Sequence, residues 1–172
     1  MKRIVVKLGT GILSAGEGRI HLDRMIRLAE GIKGLRSSGI ETILVSSGAV
    51  GLGMGKLALV ERPKDLSLLR ACASIGQCQL MSAWSEAMES VGLMASQVLL
   101  TREDFGSRER SQKVQETLSA LLGKGVVPVV NENDSVSDEE IKFGDNDVLS
   151  ALLASLGKSE MLVILSTAKG LM

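Results

Sequence analysis

Aromatic side chains are almost missing from this sequence, which has two Phe, one Trp and no Tyr in 172 residues. Its two cysteines, Cys72 and Cys78, lie six apart, a spacing that fits neither a zinc site nor a redox pair and turns them to different faces of an expected helix. Both are expected to be buried, reduced thiols. Charge of one sign is not in excess: 20 Lys and Arg balance 20 Asp and Glu, so no net field draws the chain onto nucleic acid or an anionic membrane. No apolar run approaches the length of a membrane span, and the start "MKRIVVKLG" carries too short an apolar run for a signal peptide, so a cytoplasmic protein is expected. The only histidine, His21, precedes a helix far from any serine loop, and G-x-S-x-G is absent, which argues against serine hydrolysis. His21 is expected to be a surface residue near a helix start.

Glycine, by contrast, is plentiful at 19 residues, clustered after apolar runs as tight strand-to-helix turns require. Apolar runs of strand length fall at 3–8, 40–46, 93–100, 126–130 and 161–165. Between them apolar residues recur at three and four, as in Leu22, Met25, Ala29, Ile32 and Leu35, in Val114, Leu118 and Leu121, and in Val148, Leu149, Leu152, Leu153 and Leu156. A further helical stretch covers 65–91, with a bend at Gly76 a possibility of the pattern, and Gly39, Gly92, Gly123 and Gly157 read as left-handed helix caps. Strands without alternation are buried on both faces, and helices between them make the connections crossovers. The expected fold is α/β, a three-layer α/β/α sandwich on a mostly parallel sheet, in one domain over 1–172 with no repeat and no linker. Ligands in such sheets sit beyond the carboxyl ends of the strands.

Four loops leave those ends. The first, "VKLGTGIL", has Gly9, Thr10 and Gly11, whose backbone N–H groups can approach an anion, with Lys7 just before them. A tight turn beside a surface lysine is the alternative. The second, "ILVSSGAVGLGMG", offers Ser47 and the N–H groups of Gly48 and Ala49 to a carboxylate at a helix start, or Ser46 and Ser47 as simple helix caps. The third and fourth are acidic: seven carboxylates between Glu132 and Asp147 stand against one lysine, Lys142. Capping explains one or two of Asp145, Asn146 and Asp147. Asn133 and Asp134 follow a buried strand and need a partner, either the ammonium of an amino-acid ligand or the lysine of the first loop. The D-x-[DN]-x-[DN]-G calcium pattern is absent, and no protein metal site is expected.

Taken together, "VVKLGTGIL", "VSSGAVGLG", "LLTREDF", "VPVVNENDSV" and "EIKFGDNDVLSA" resemble the glutamate 5-kinase branch of the amino acid kinase family. The resemblance implies ATP-dependent phosphorylation of the side-chain carboxylate of L-glutamate to an acyl phosphate, the first step of proline biosynthesis, with Mg²⁺ carried on the nucleotide phosphates. It implies that Lys7 touches the transferring phosphoryl, that Gly9, Thr10 and Gly11 cradle it, and that Asp147 orients the lysine. Ser47, Asp134 and Asn146 match glutamate-binding positions, with Gly48 and Ala49 beside Ser47. Ser166 and Thr167 stand where the family has Thr-Asp on the nucleotide side, and Met172 where it has Tyr. Family chains continue past this point into a nucleotide-binding half with a second catalytic lysine, and many carry an RNA-binding-like domain. The sequence is therefore expected to hold the amino-acid-binding lobe with reduced turnover, the alternative being a catalytically silent glutamate-binding or association module. The apolar strand at 161–165, if it lies at a sheet edge, predicts a homo-oligomer.

Overall fold

The computed structural model describes residues 2–16, 18–136 and 146–167. Strand β1 (Lys2–Leu8) leads through the single-turn α1 (Thr10–Leu13) to α2 (Leu22–Ser37) and β2 (Ile40–Ser46). There follow α3 (Ala49–Lys56), α4 (Leu66–Glu89), β3 (Met94–Leu100), α5 (Glu103–Gly106), α6 (Arg108–Gly123), β4 (Val126–Glu132), α7 (Asn146–Leu156) and β5 (Met161–Leu165). The strands form one parallel sheet in the order β3-β4-β2-β1-β5. This is the expected α/β sandwich, and among the described residues β5 lies at the edge of the sheet, with Met161 and Ile164 exposed.

Alternation along each strand sorts the core into two halves. Val6, Leu8, Leu44, Val127 and Val129 pack under α2, α3 and α4. Val5, Ile43, Val45 and Val130 pack under α6 and α7. The same parity decides what emerges at the carboxyl ends. Lys7 shares the face of Val5, toward α7, whereas Ser46 and Asn131 share the faces of Leu44 and Val129, toward α4.

Helices α3 and α4 approach so closely that a Cβ on Gly76 would stand 1.8 Å from the Ala49 carbonyl oxygen, and one on Gly53 1.8 Å from that of Cys72. Gly76 is thus a point of backbone contact inside an uninterrupted α4, and it fixes where α3 begins. The expected caps at Gly123 and Gly157 and the expected burial of Cys78 are corrected here. Gly123 is still helical and Gly157 has no positive φ; the left-handed positions after α6 and α7 are Gly125 (φ 73) and Lys158 (φ 49), because helical backbone bonding reaches Lys124 and Gly157. Cys72 is buried, but Cys78 is exposed, since six residues carry it to the outer face of α4. His21 is half-buried at the start of α2, with no capping bond from its side chain.

Candidate functional site

Lys7 is 4% exposed, so its ammonium has lost most of its water and must be compensated within the protein. Its Nζ lies 2.7 Å from Oδ1 of Asp147, a close ion pair although the angles are not those of a directional hydrogen bond. Asp147 sits in the first turn of α7, where the helix dipole favours a carboxylate. A surface lysine beside a tight turn does not describe this arrangement.

The glycine turn after β1 lies against the end of β5. Gly9 N–H donates to the Leu165 carbonyl at 3.1 Å. A Cβ on Gly11 would meet Thr167 Cγ2 at 2.9 Å, so Thr167 borders the turn, with the exposed Ser166 just before it. On the other side, Thr10 faces the loop after β2: a Cβ on Gly48 would stand 3.8 Å from Thr10 Cγ2. Gly48 has φ +114, a conformation that side chains rarely adopt, and it launches α3 at Ala49. Thr10, Ser47, Gly48 and Leu80 line one shared cavity of about 60 Å³.

Neither serine caps α3 with its side chain. Ser46 is fully buried and accepts a hydrogen bond from Trp84 Nε1 at 2.9 Å. Ser47 Oγ accepts from Asn146 Nδ2 at 2.6 Å, across 99 residues of sequence. Asn146 Nδ2 also donates to Asn131 Oδ1 at 3.0 Å, and Asn131 Nδ2 to Gln77 Oε1 at 2.9 Å. The loops after β2 and β4 and the start of α7 are joined by amides rather than by charge.

The acidic cluster behind β4 behaves differently. Glu132 is pushed up to about 7 by burial and by the neighbouring Asp134 carboxylate. Burial also raises Asp134, against the opposing pull of Arg62. Lys7, one of the two partners expected for Asp134, is paired with Asp147.

Lys7, Gly9, Thr10, Gly11, Ser47, Gly48, Ala49, Asn146, Asp147, Ser166 and Thr167 therefore meet at one margin of the sheet. Asp134 follows the end of β4 two strands away from β1, on the same margin, and makes no hydrogen bond to Ser47 or Asn146. Asp145 and the closing "AKGLM" lie outside the described residues. Sequence reasoning missed Gln77 and the titration of Glu132. The signal for Gln77 was present: it is a polar residue within the apolar stripe Ala73, Leu80, Trp84 and Ala87 of α4.

A strand-end lysine paired with a helix-start aspartate thus stands beside a glycine turn and a serine–asparagine pair. The chain belongs to the amino acid kinase family, whose model matches residues 2–172. It is 49% identical over 169 residues to glutamate 5-kinase of Caldanaerobacter subterraneus, covering 98% of this chain and 45% of the relative. Glutamate 5-kinase of Thermus thermophilus is 49% identical over 170 residues, covering 99% and 46%. That of Clostridium acetobutylicum is 45% identical over 171 residues, covering 99% and 64%. The chain thus spans about half the length of most curated relatives it matches.

Proposed function

We propose that this chain supplies the amino-acid-binding and phosphoryl-facing half of a glutamate 5-kinase, which moves the γ-phosphoryl of MgATP to the side-chain carboxylate of L-glutamate. The observation that carries this reading is the buried Lys7 paired at 2.7 Å with the partly exposed Asp147, at the sheet margin where Ser47 meets Asn146. A carboxylate nucleophile is already ionised at neutral pH and needs no strong base. The reaction needs alignment of two anions and positive charge on the transferring oxygens. In this reading Lys7 supplies that charge in a dry setting, where it acts more strongly than in water, and Asp147 holds it in place. The N–H groups around Gly9, Thr10 and Gly11 meet the phosphoryl oxygens, and Ser166 and Thr167 border the nucleotide side.

Glutamate lies between the lysine and the acidic cluster. Ser47 and the N–H groups of Gly48 and Ala49 take the α-carboxylate, while Asp134 and Asn146 take the ammonium. Mg²⁺ comes on the nucleotide phosphates, which offer the hard oxygens it prefers. Association with another copy belongs to this reading as part of what the resemblance implies.

Trapping the acyl phosphate with hydroxylamine tests the reading: glutamate and MgATP together should give the hydroxamate, and omission of either should not. Absence of product alongside calorimetric glutamate binding would instead favour a silent glutamate-binding module, a reading to which the Ser166-Thr167 departure from Thr-Asp lends weight. Absence of both would remove the proposal.

A further inference from the structure

A chain of side-chain amides runs from the outer strand of the sheet to the candidate site. Asn146 Nδ2 donates to Asn131 Oδ1 (3.0 Å), Asn131 Nδ2 to Gln77 Oε1 (2.9 Å), and Gln77 Nε2 to Gln97 Oε1 (3.0 Å). Amide oxygens and nitrogens are nearly alike in shape, so the direction of such a chain must be argued from a group whose role is fixed. The backbone N–H of Glu132 is that group. It can only donate, and it lies 2.9 Å from Asn131 Oδ1. The Asn131 atom beside it must be the carbonyl oxygen, which turns Asn131 Nδ2 toward α4. There Gln77 must accept with Oε1 and pass its own Nε2 on to Gln97. On the other side, the second lone pair of Asn131 Oδ1 accepts from Asn146, whose nitrogen therefore points inward.

The orientation of Asn146 has a consequence for ligands. Both hydrogens of its Nδ2 are used, one on Asn131 and one on Ser47 Oγ. Its Oδ1 is buried and has no hydrogen-bond partner among the described residues. A buried carbonyl left in this state costs free energy until a donor arrives. Ser47, having accepted from Asn146, keeps its hydroxyl hydrogen to donate. One end of the pair thus offers an acceptor, the other a donor. That is the polarity of an α-amino acid, ammonium at Asn146 and carboxylate at Ser47. A reversed Asn146 would present N–H groups instead, which cannot accept from an ammonium.

We propose that Gln77 is a positioning residue: by holding Asn131, it fixes the amide of Asn146 with its carbonyl toward the ligand, and so selects an amino acid over the corresponding dicarboxylic acid. Gln77 touches no reacting atom. Its part is to make reversal of the chain costly, because turning Asn131 over would lose its bond to Gln77 as well as the bond from Glu132 N–H. This selectivity rests on the reading of the site given above; the orientation itself does not.

The test compares Gln77→Met, similar in length but unable to accept, with Gln77→Glu, which still accepts from Asn131. Calorimetry with glutamate and with glutarate, the same diacid without its ammonium, gives the decisive ratio. Gln77→Met should weaken glutamate by about 10-fold, the scale of one hydrogen bond to a charged group, and leave glutarate nearly unchanged, while Gln77→Glu restores most of the preference. Equal loss of both ligands, or no restoration, overturns the proposal by reducing Gln77 to a packing role. Side-chain amide NMR of the ligand-free chain provides an arm independent of the substrate. Gln77→Met should shift the Asn146 as well as the Asn131 amide signals and speed their hydrogen exchange. A response confined to Asn131 refutes the relay. Wild-type protein that binds neither acid, with the relay signals behaving as expected, would count against the glutamate reading and not against the orientation.

Discussion

The two ends of the candidate site carry opposite charge and treat it in opposite ways. At β1, a buried cation is matched at 2.7 Å by an aspartate in a helix first turn. At β4, Glu132 and Asp134 are both raised by burial, and Arg62 opposes the rise only at Asp134. The first end is satisfied as it stands. The second is under-compensated and becomes more favourable when a cation arrives. Under the proposed function this asymmetry suits an amino acid phosphorylated on its side chain, with its ammonium at the acidic end and its carboxylate delivered to the lysine.

The sharpest way to break the comparison is to remove the lysine. Lys7→Ala should lower hydroxamate formation by about 100-fold or more, the scale of one lost electrostatic donor in a dry site, with glutamate affinity within about 3-fold of wild type. Loss of glutamate binding in place of turnover would reverse the assigned roles. Next in size, Asp134→Ala should raise the Kd for glutamate by about 10- to 100-fold, as expected for a charged hydrogen bond, while glutarate responds little.

A scaffold change should fail to discriminate between the ends. Gly76→Ala forces α3 away from α4, because the new methyl would stand 1.8 Å from a backbone oxygen. A loss of about 2–3 kcal/mol, typical of overpacking, should appear as a lower urea midpoint, with both functions declining together through the displaced Gly48 turn. Unchanged stability would show that the helix contact is not as tight as described.

The smallest expected effect is on pH dependence. A carboxyl whose folded pKa is raised binds more protons folded than unfolded, so its contribution is present below the unfolded value and is lost as pH rises through the folded one. For Glu132 this loss falls between 4.5 and about 7. Glu132→Gln should flatten the decline of the urea midpoint across that window, and an identical slope in the variant would remove Glu132 from the account.

Much of this was legible in the residues. Unalternated Val, Ile and Leu runs gave the parallel sheet, and the loop rule for such sheets pointed to Lys7, Ser47, Asn146 and Asp147 as members of one margin. What spacing could not provide was which side of the sheet each residue leaves, because that depends on the parity of a strand whose end must first be known. β4 runs on to Glu132, and this places Asn131 over α4 and makes Gln77 its partner. Gly123 was misread as a cap because glycine spacing alone does not say whether a helix has ended; Gly125 takes that role. Cys78 was misjudged because burial was inferred from residue type, although its place on α4 already turned it away from Cys72.

The opposition between the two ends can be tested without turnover, by measuring the protons exchanged when glutamate binds near pH 7 in buffers of different ionisation enthalpy. An ammonium settling beside the acidic end lowers the raised pKa of Glu132, about 7 without it, and so releases protons, which the account predicts as a buffer-dependent heat that shrinks in Glu132→Gln. Binding without proton release, or with the same release in that variant, would contradict it.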